Sequence, residues 1–164
     1  MKQIGLLSDT HGYLDDRIYS YFQDCDEIWH AGDIGSIQNL ETLESWKPVR
    51  AVYGNIDDAT LRTALPEKQR FMIEDVDVLI KHIGGYPGNY DRSIREEIIK
   101  NPPDLFISGH SHILKVMPDN KLDLLHINPG AAGKNGFHKV RTITRFCIDN
   151  GNIQDLEVIE LGTR

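Results

Sequence analysis

The segment Asp104–His112, DLFISGHSH, decides the fold class. Its uncharged run Leu105-Phe106-Ile107 is short, as a buried strand is, and Gly109 breaks it. His110 and His112 follow, one serine apart. Taken alone, the two imidazoles are a pair of ligands for one metal, ligands for two metals, or polar residues of a turn. The same construction recurs along the chain. IGLLSDTH covers Ile4–His11, EIWHAGD covers Glu27–Asp33, and VRAVYGN covers Val49–Asn55. VDVLIKH ends at His82, and LDLLHINPG closes at Gly130. Each is an apolar run that stops at a polar, chemically capable cluster.

Helical patterns lie between several of these runs. Ile37, Leu40, Leu43 and Trp46 recur every third residue, and Ile94, Ile98 and Ile99 mark a second helix that stops before Asn101-Pro102-Pro103. Asp15–Gln23 is a weaker helical candidate. Alternating strands and helices imply right-handed crossovers between parallel strands. The second half changes character. RFMIEDVDVLIKH, LKVMPDNKLDLLHINPG and TITRFCIDNGNIQDLEVIEL each read as two strands about a polar turn, with Asp149-Asn150-Gly151-Asn152 the strongest hairpin signal. The expected fold is α/β: a two-sheet β-sandwich flanked by helices, in four layers α-β-β-α.

Composition bounds the function. At 164 residues the chain is expected to be one domain, 1–164, with a core large enough to need no disulfide. Eighteen basic against 25 acidic residues give a net charge of −7, which argues against an extended nucleic-acid surface but allows a local cationic pocket. Cys25 and Cys147 lie far apart, form no CxxC pattern and suggest a reducing compartment or a bland role. The apolar start is too short for a signal peptide, and no window approaches a membrane span. The expectation is a cytoplasmic, soluble protein without a membrane partner; self-association into a homo-oligomer stays open.

The residues at the run ends are Asp9 and His11, Asp33, Asn55, His82, and His110 with His112. Between 22 and 28 residues separate successive clusters, about one strand and its crossover each. In open α/β sheets, ligands gather beyond the carboxyl ends of the strands, so such spacing brings distant loops to one rim. Two aspartates, one asparagine and four histidines form a nitrogen and oxygen donor set without thiolate, suited to manganese, iron, cobalt, nickel or zinc. Seven donors exceed the needs of one open catalytic ion and suit two ions if one carboxylate bridges. Gly32, Gly54 and Gly109 each precede a candidate ligand and are expected to provide the sharp turn that aims it.

DTH at 9–11, GD at 32–33, GN at 54–55, the strand-end His82 and GHSH at 109–112 together resemble the ordered motifs of the calcineurin-like metallophosphoesterases. The small single-domain phosphodiesterase branch, which also contains the retromer scaffold subunit, is the nearer likeness. It spans Met1 to about Arg141. The resemblance implies a phosphoric ester hydrolase, most simply a phosphodiesterase, acting on a small phosphoester. It implies two divalent ions, manganese first, with nickel, iron, zinc and cobalt also suited. Asp9, His11, Asp33 and His112 would hold one ion; Asp33, Asn55, His82 and His110 would hold the other, with Asp33 between them. A hydroxide shared by the ions would attack phosphorus in line, and catalysis would rest on Asp33, Asn55 and His82. The alternative function is a protein-interaction scaffold on the same fold, since fold alone does not imply catalysis.

The pattern departs from the family in three places. Ile56 stands where many members have a histidine that assists the leaving group; Ile83-Gly84 follows His82; and Ala131 follows Asn128-Pro129-Gly130 where a serine is common. Asp57 and Asp58 are nearby acids without an assigned role. His30 is expected to be buried and to orient a ligand, and His126 to be structural. The loop bearing Lys134 and His138, with Arg141 after it, is either a cover over a substrate phosphate or a solvated connection. Asp15-Asp16 and Glu96-Glu97 are expected on solvated helix faces, and Asn128-Pro129-Gly130 is expected to offer a backbone group to the rim.

Overall fold

The runs that end in candidate ligands are strands that stop short of them. In the computed structural model, which describes residues 1–164, the first three are β1 (Lys2–Leu7), β2 (Glu27–His30) and β3 (Val49–Ala51). They run parallel, and the long hairpin of β11 (Val140–Asp149) and β12 (Asn152–Thr163) adds antiparallel to β1. The first sheet is therefore ordered β12-β11-β1-β2-β3. The second is β4-β5-β8-β10-β9, built from β4 (Lys68–Ile73), β5 (Val76–Lys81), β8 (Leu105–Ile107), β9 (Leu114–Asp119) and β10 (Leu124–Pro129). Its central trio β5, β8 and β10 is again parallel. A two-stranded flap, β6 (Gly85–Tyr86) and β7 (Asn89–Tyr90), follows β5.

The sheets face each other across a shared core. Ile4, Leu6, Trp29 and Phe146 from the first sheet meet Val78, Ile80, Leu105, Ile107 and Ile127 from the second. Trp29 is fully buried, packs edge-on against Phe71 and Phe146 at 5.2 and 5.8 Å, and donates Nε1–H to Glu27 at 2.8 Å. Burying such a side chain contributes about 1.5–3 kcal/mol. Alternate strand residues face outward onto helices. Leu7 and Ile28 pack with Ile18 of α1 (Arg17–Tyr21) and Leu43 of α2 (Ile37–Trp46). Ala51 packs with Leu40 and with Leu61 of α3 (Ala59–Ala64). On the other side, Leu79, Phe106 and Leu124 pack with Ile98 of α4 (Arg95–Lys100). This is the expected α-β-β-α sandwich.

The hairpin over 149–152 forms as read. Asn150 and Gly151 have φ of 48° and 80°, the paired left-handed residues of a two-residue turn whose twist matches its strands. Helix α3 was not expected from the sequence. It is six residues with one buried position, so no periodicity announces it; its signal is Asp58, which caps it by accepting Leu61 N–H at 3.0 Å. Asp15 corrects an expectation. It is 6% exposed and sits between Arg17 Nη2 at 2.6 Å and Arg141 Nη1 at 3.0 Å. The pair ties the loop before α1 to β11, so Asp15 is not on a solvated face and Arg141 is structural. No helix is long and apolar enough to cross a membrane.

Candidate metal centre

All seven candidate ligands lie just past the ends of strands β1, β2, β3, β5 and β8, and the structure brings them to one rim. Donor atoms of Asp9, His11 and His112 lie within 4.8 Å of one another, and so do those of Asp33, His82 and His110. Asn55 Oδ1 joins the second group, 3.0 Å from both His82 Nε2 and His110 Nδ1. Asp33 Oδ2 lies between the groups, 3.3 Å from His11 Nε2 and 3.2 Å from His82 Nε2.

Both aspartates are held by one oxygen and left open at the other. Asp9 Oδ2 accepts from Ser8 Oγ at 2.7 Å and from His110 N–H at 3.1 Å, while Oδ1 is buried with no hydrogen-bond partner. Asp33 Oδ1 accepts from Ile56 N–H at 3.0 Å, and Oδ2 turns to the centre. Two imidazoles follow the same logic. His82 donates Nδ1–H to Ala31 O at 2.8 Å, which leaves Nε2 as a lone pair. His138 donates Nε2–H to Gly133 O at 2.7 Å, so its Nδ1 accepts from His112 Nδ1 at 3.3 Å. His112 Nε2 then faces Asp9 Oδ1 at 3.2 Å as a lone pair. His11 Nε2, the protonated nitrogen when Nδ1 accepts from the Asn135 amide, is also buried without a hydrogen-bond partner. Bare acceptors buried together are costly unless a cation satisfies them.

The electrostatics agree. The Asp33 and Asp9 carboxylates push His11 up to about 9. Burial works to raise Asp33, but the imidazoles of His11 and His82 overcome it and hold the carboxyl well below the usual range. Each carboxylate is thus charged and seeks positive charge, the demand a divalent ion meets. The residues fit two such ions: a nitrogen and oxygen donor set, open lone pairs, and one carboxylate oxygen shared between two clusters.

Backbone strain marks the same positions. Asp9, His11, Asp33, His110 and His112 all have φ between 47° and 71°, a left-handed conformation that non-glycine residues adopt at a cost. The ligands therefore make their own turns, which corrects the role assigned to the glycines. Gly32 does turn, at φ 104°, but Gly54 and Gly109 serve close approach. A Cβ on Gly54 would sit 2.1 Å from Asp33 Oδ1, and one on Gly109 would sit 2.2 Å from Ser8 Oγ.

Supporting residues surround the ligands. His30 is fully buried; its Nδ1 accepts Gly32 N–H at 3.1 Å, so Nε2–H donates to Thr10 Oγ1 at 3.0 Å. Burial pushes it down to about 4, which keeps it neutral. Thr10 hands the bond on to Ile34 O at 2.8 Å, locking the loops of Asp9 and Asp33 together. Asp57, unassigned in the sequence, accepts from Gly35 and Gly54 N–H at 2.8 Å each and from Ile34 N–H at 3.2 Å. It clamps the loop of Asp33 to that of Asn55. The Asp-after-turn pattern of GNIDD was its available signal. Asn128 reaches the rim by its side chain rather than its backbone, donating Nδ2–H to Gly109 O at 3.0 Å and to Ser111 Oγ at 3.1 Å. The 133–138 loop covers the first cluster through His138 and Asn135, whose side-chain amide meets His11 Nδ1 at 3.2 Å. Lys134 instead sits over the Tyr13 ring at 4.3 Å.

Fold and site together define a metallophosphoesterase. The chain belongs to the calcineurin-like phosphoesterase superfamily, whose domain profile matches residues 1–151. It is 32% identical over 133 residues to a probable metallophosphoesterase of Methanothermobacter thermautotrophicus, covering 78% of this chain and 76% of that one. Among solved structures, an archaeal phosphodiesterase superposes with a TM-score of 0.78 at 23% identity, over 97% of this chain and 99% of that one. Vps29 of Chaetomium thermophilum superposes at 0.75 and 16% identity over the whole of both chains.

Proposed function

We propose that the protein is a dinuclear metal-dependent phosphodiesterase acting on a small phosphoester. The observation that carries this is Asp33 Oδ2, a single carboxylate oxygen within 3.3 Å of an imidazole nitrogen of each cluster. Asp9, His11, Asp33 and His112 would hold one ion, and Asp33, Asn55, His82 and His110 the other. Bound, the pair would lower the pKa of a water and neutralise charge on entering and leaving oxygens. The chain's own residues set the geometry for that chemistry. Asp33 fixes the spacing of the two clusters, held from behind by Ile56 N–H. Asn55 Nδ2 makes no protein hydrogen bond and remains a donor for a phosphoryl oxygen at the rim. Ile56, 45% exposed, stands where a proton-donating histidine would be, so this chain supplies no imidazole to the leaving group at that point.

The similarity to an archaeal phosphodiesterase supports the choice of diesters. The alternative, a protein-binding module on this fold, draws on the likeness to Vps29; a complete set of seven donors favours hydrolysis. The test is a panel of metals and substrates on purified protein, comparing p-nitrophenyl monoesters, linear diesters and 2′,3′-cyclic nucleotides. Chelation should abolish diester hydrolysis, manganese should restore it, and Asp33→Ala should lose it. Full activity in Asp33→Ala would sink the shared-carboxylate assignment, and a metal-loaded protein inert towards every phosphoester would leave the scaffold reading.

A further inference from the structure

Beside the second cluster, on the outer face of the second sheet, lies a cleft of about 420 Å³ under the β6–β7 flap. Ser108 Oγ holds that flap down by donating to Gly85 O at 3.2 Å. The cleft runs directly from His110 to Tyr86, Arg92, Lys115 and His126. Its charge is opposite to that of the chain. Arg92, Arg95 and Lys115 line it against a single acid, Asp91, in a molecule of net charge −7. Asp91 is already engaged by Ser93 N–H and Oγ–H, and Arg95 donates to Tyr90 O. Arg92 and Lys115 pair with no carboxylate. Lys115 instead stands 3.7 Å over the Tyr86 ring, a contact that positions the ammonium without neutralising it. The cleft floor offers a neutral hydrogen-bonding group. His126 donates Nδ1–H to Phe106 O at 3.0 Å, so Nε2 carries a lone pair.

Unpaired cations in a concave site beside a phosphoester centre have one simple use. We propose that the cleft is a substrate subsite for a second anionic group: Arg92 and Lys115 bind a phosphate on the non-reacting arm of the diester. The substrate class is then a small diester carrying an additional phosphate, of the size of a phosphorylated nucleotide. A cleft of about 420 Å³ falls within the range that holds such molecules. This rests on the phosphodiesterase reading and adds to it which diester is preferred.

The test compares two substrates with the same leaving group: thymidine 5′-(p-nitrophenyl phosphate), and the same compound bearing a 3′-phosphate. Manganese-loaded protein should show a kcat/KM at least tenfold higher for the 3′-phosphorylated compound. The double variant Arg92→Ala, Lys115→Ala should lose that preference while hydrolysing the unphosphorylated compound within about twofold of the parent. Equal rates on the two compounds, or a preference that survives the double variant, would overturn the proposal while leaving hydrolysis intact. If neither compound is cleaved, the phosphodiesterase reading fails first, and calorimetry decides the cleft separately. Thymidine 3′,5′-bisphosphate should bind the metal-free protein about tenfold more tightly than it binds the double variant; equal affinities, or no binding to the parent, would reject the subsite.

Discussion

Asp33 carries two requirements on one carboxylate: Oδ1 is tied to Ile56 N–H, and Oδ2 is left to both clusters. The imidazoles depend on similar restraint from behind. His138 fixes the tautomer of His112 through Nδ1 at 3.3 Å. Removing such an outer partner costs roughly 10–100-fold in metal affinity. His138→Ala should therefore weaken manganese binding by that factor in calorimetry, with partial rescue in His138→Gln, whose amide oxygen can accept the same proton. Unchanged affinity in the alanine variant would make His138 a bystander. Ile56 carries a separate consequence. Lacking an imidazole to donate a proton, a step worth about 10²-fold or more, the protein should favour leaving groups that depart as anions. Methyl p-nitrophenyl phosphate should be hydrolysed far faster than methyl phenyl phosphate, and comparable rates would point to an acid elsewhere at the rim.

At the scale of elements, the loops after β1, β2 and β3 are joined by buried side chains, Thr10, His30 and Asp57, that bond to backbone groups. Asp57 bonds three backbone amides at the junction of the second and third loops, buried at 4% exposure. Asp57→Ala leaves those donors unsatisfied and should cost about 1–3 kcal/mol or more, read as a lower urea midpoint. Strand β10 contributes a pH response through His126. Burial pushes this imidazole down to about 4, so on acidification the unfolded chain takes up the proton first. Stability from this group is complete above pH ~6.5 and declines between ~6.5 and ~4. His126→Phe should flatten part of the decline in urea-derived stability across that window, and an identical slope would show that His126 does not contribute to it. The same scale explains which elements were legible. The hairpin announced by Asn150-Gly151 and helix α2, with its every-third-residue pattern, were plain from residue order. Helix α3 was not, because one buried leucine makes no period.

For the whole molecule, the centre collects donors from the ends of strands in both sheets, so metal and fold stabilise each other. An ion at 100 times its Kd adds about 2.7 kcal/mol to the folded state. For a domain of this size, that raises Tm by roughly 5–10 °C. Thermal scans of chelated and manganese-loaded protein should show this shift, and Asp33→Ala should show much less of it. A loaded protein that melts with the chelated form would mean that the rim binds no ion.

Much of this was present in residue order. The apolar runs, their glycine ends and the donors beyond them are local features, so strand positions, sandwich class and all seven candidate ligands could be read directly from the chain. Period and residue type carry that information because strand burial and donor chemistry are properties of short segments. What only the folded chain decided is how the donors are held. The open Oδ1 of Asp9, the shared Oδ2 of Asp33 and the tautomer of His112 depend on partners as distant as His110, Ile56 and His138. Arg141 and Asp15, 126 residues apart, became a buried ion pair rather than surface charges for the same reason. Arg92 and Lys115 drew no notice in sequence, because an unpaired cation is defined by which acids the fold brings near it. For DLFISGHSH, the resemblance already assigned its two histidines to different ions; the folded chain places His112 with Asp9 and His11, and His110 with Asp33 and His82, each on a left-handed backbone.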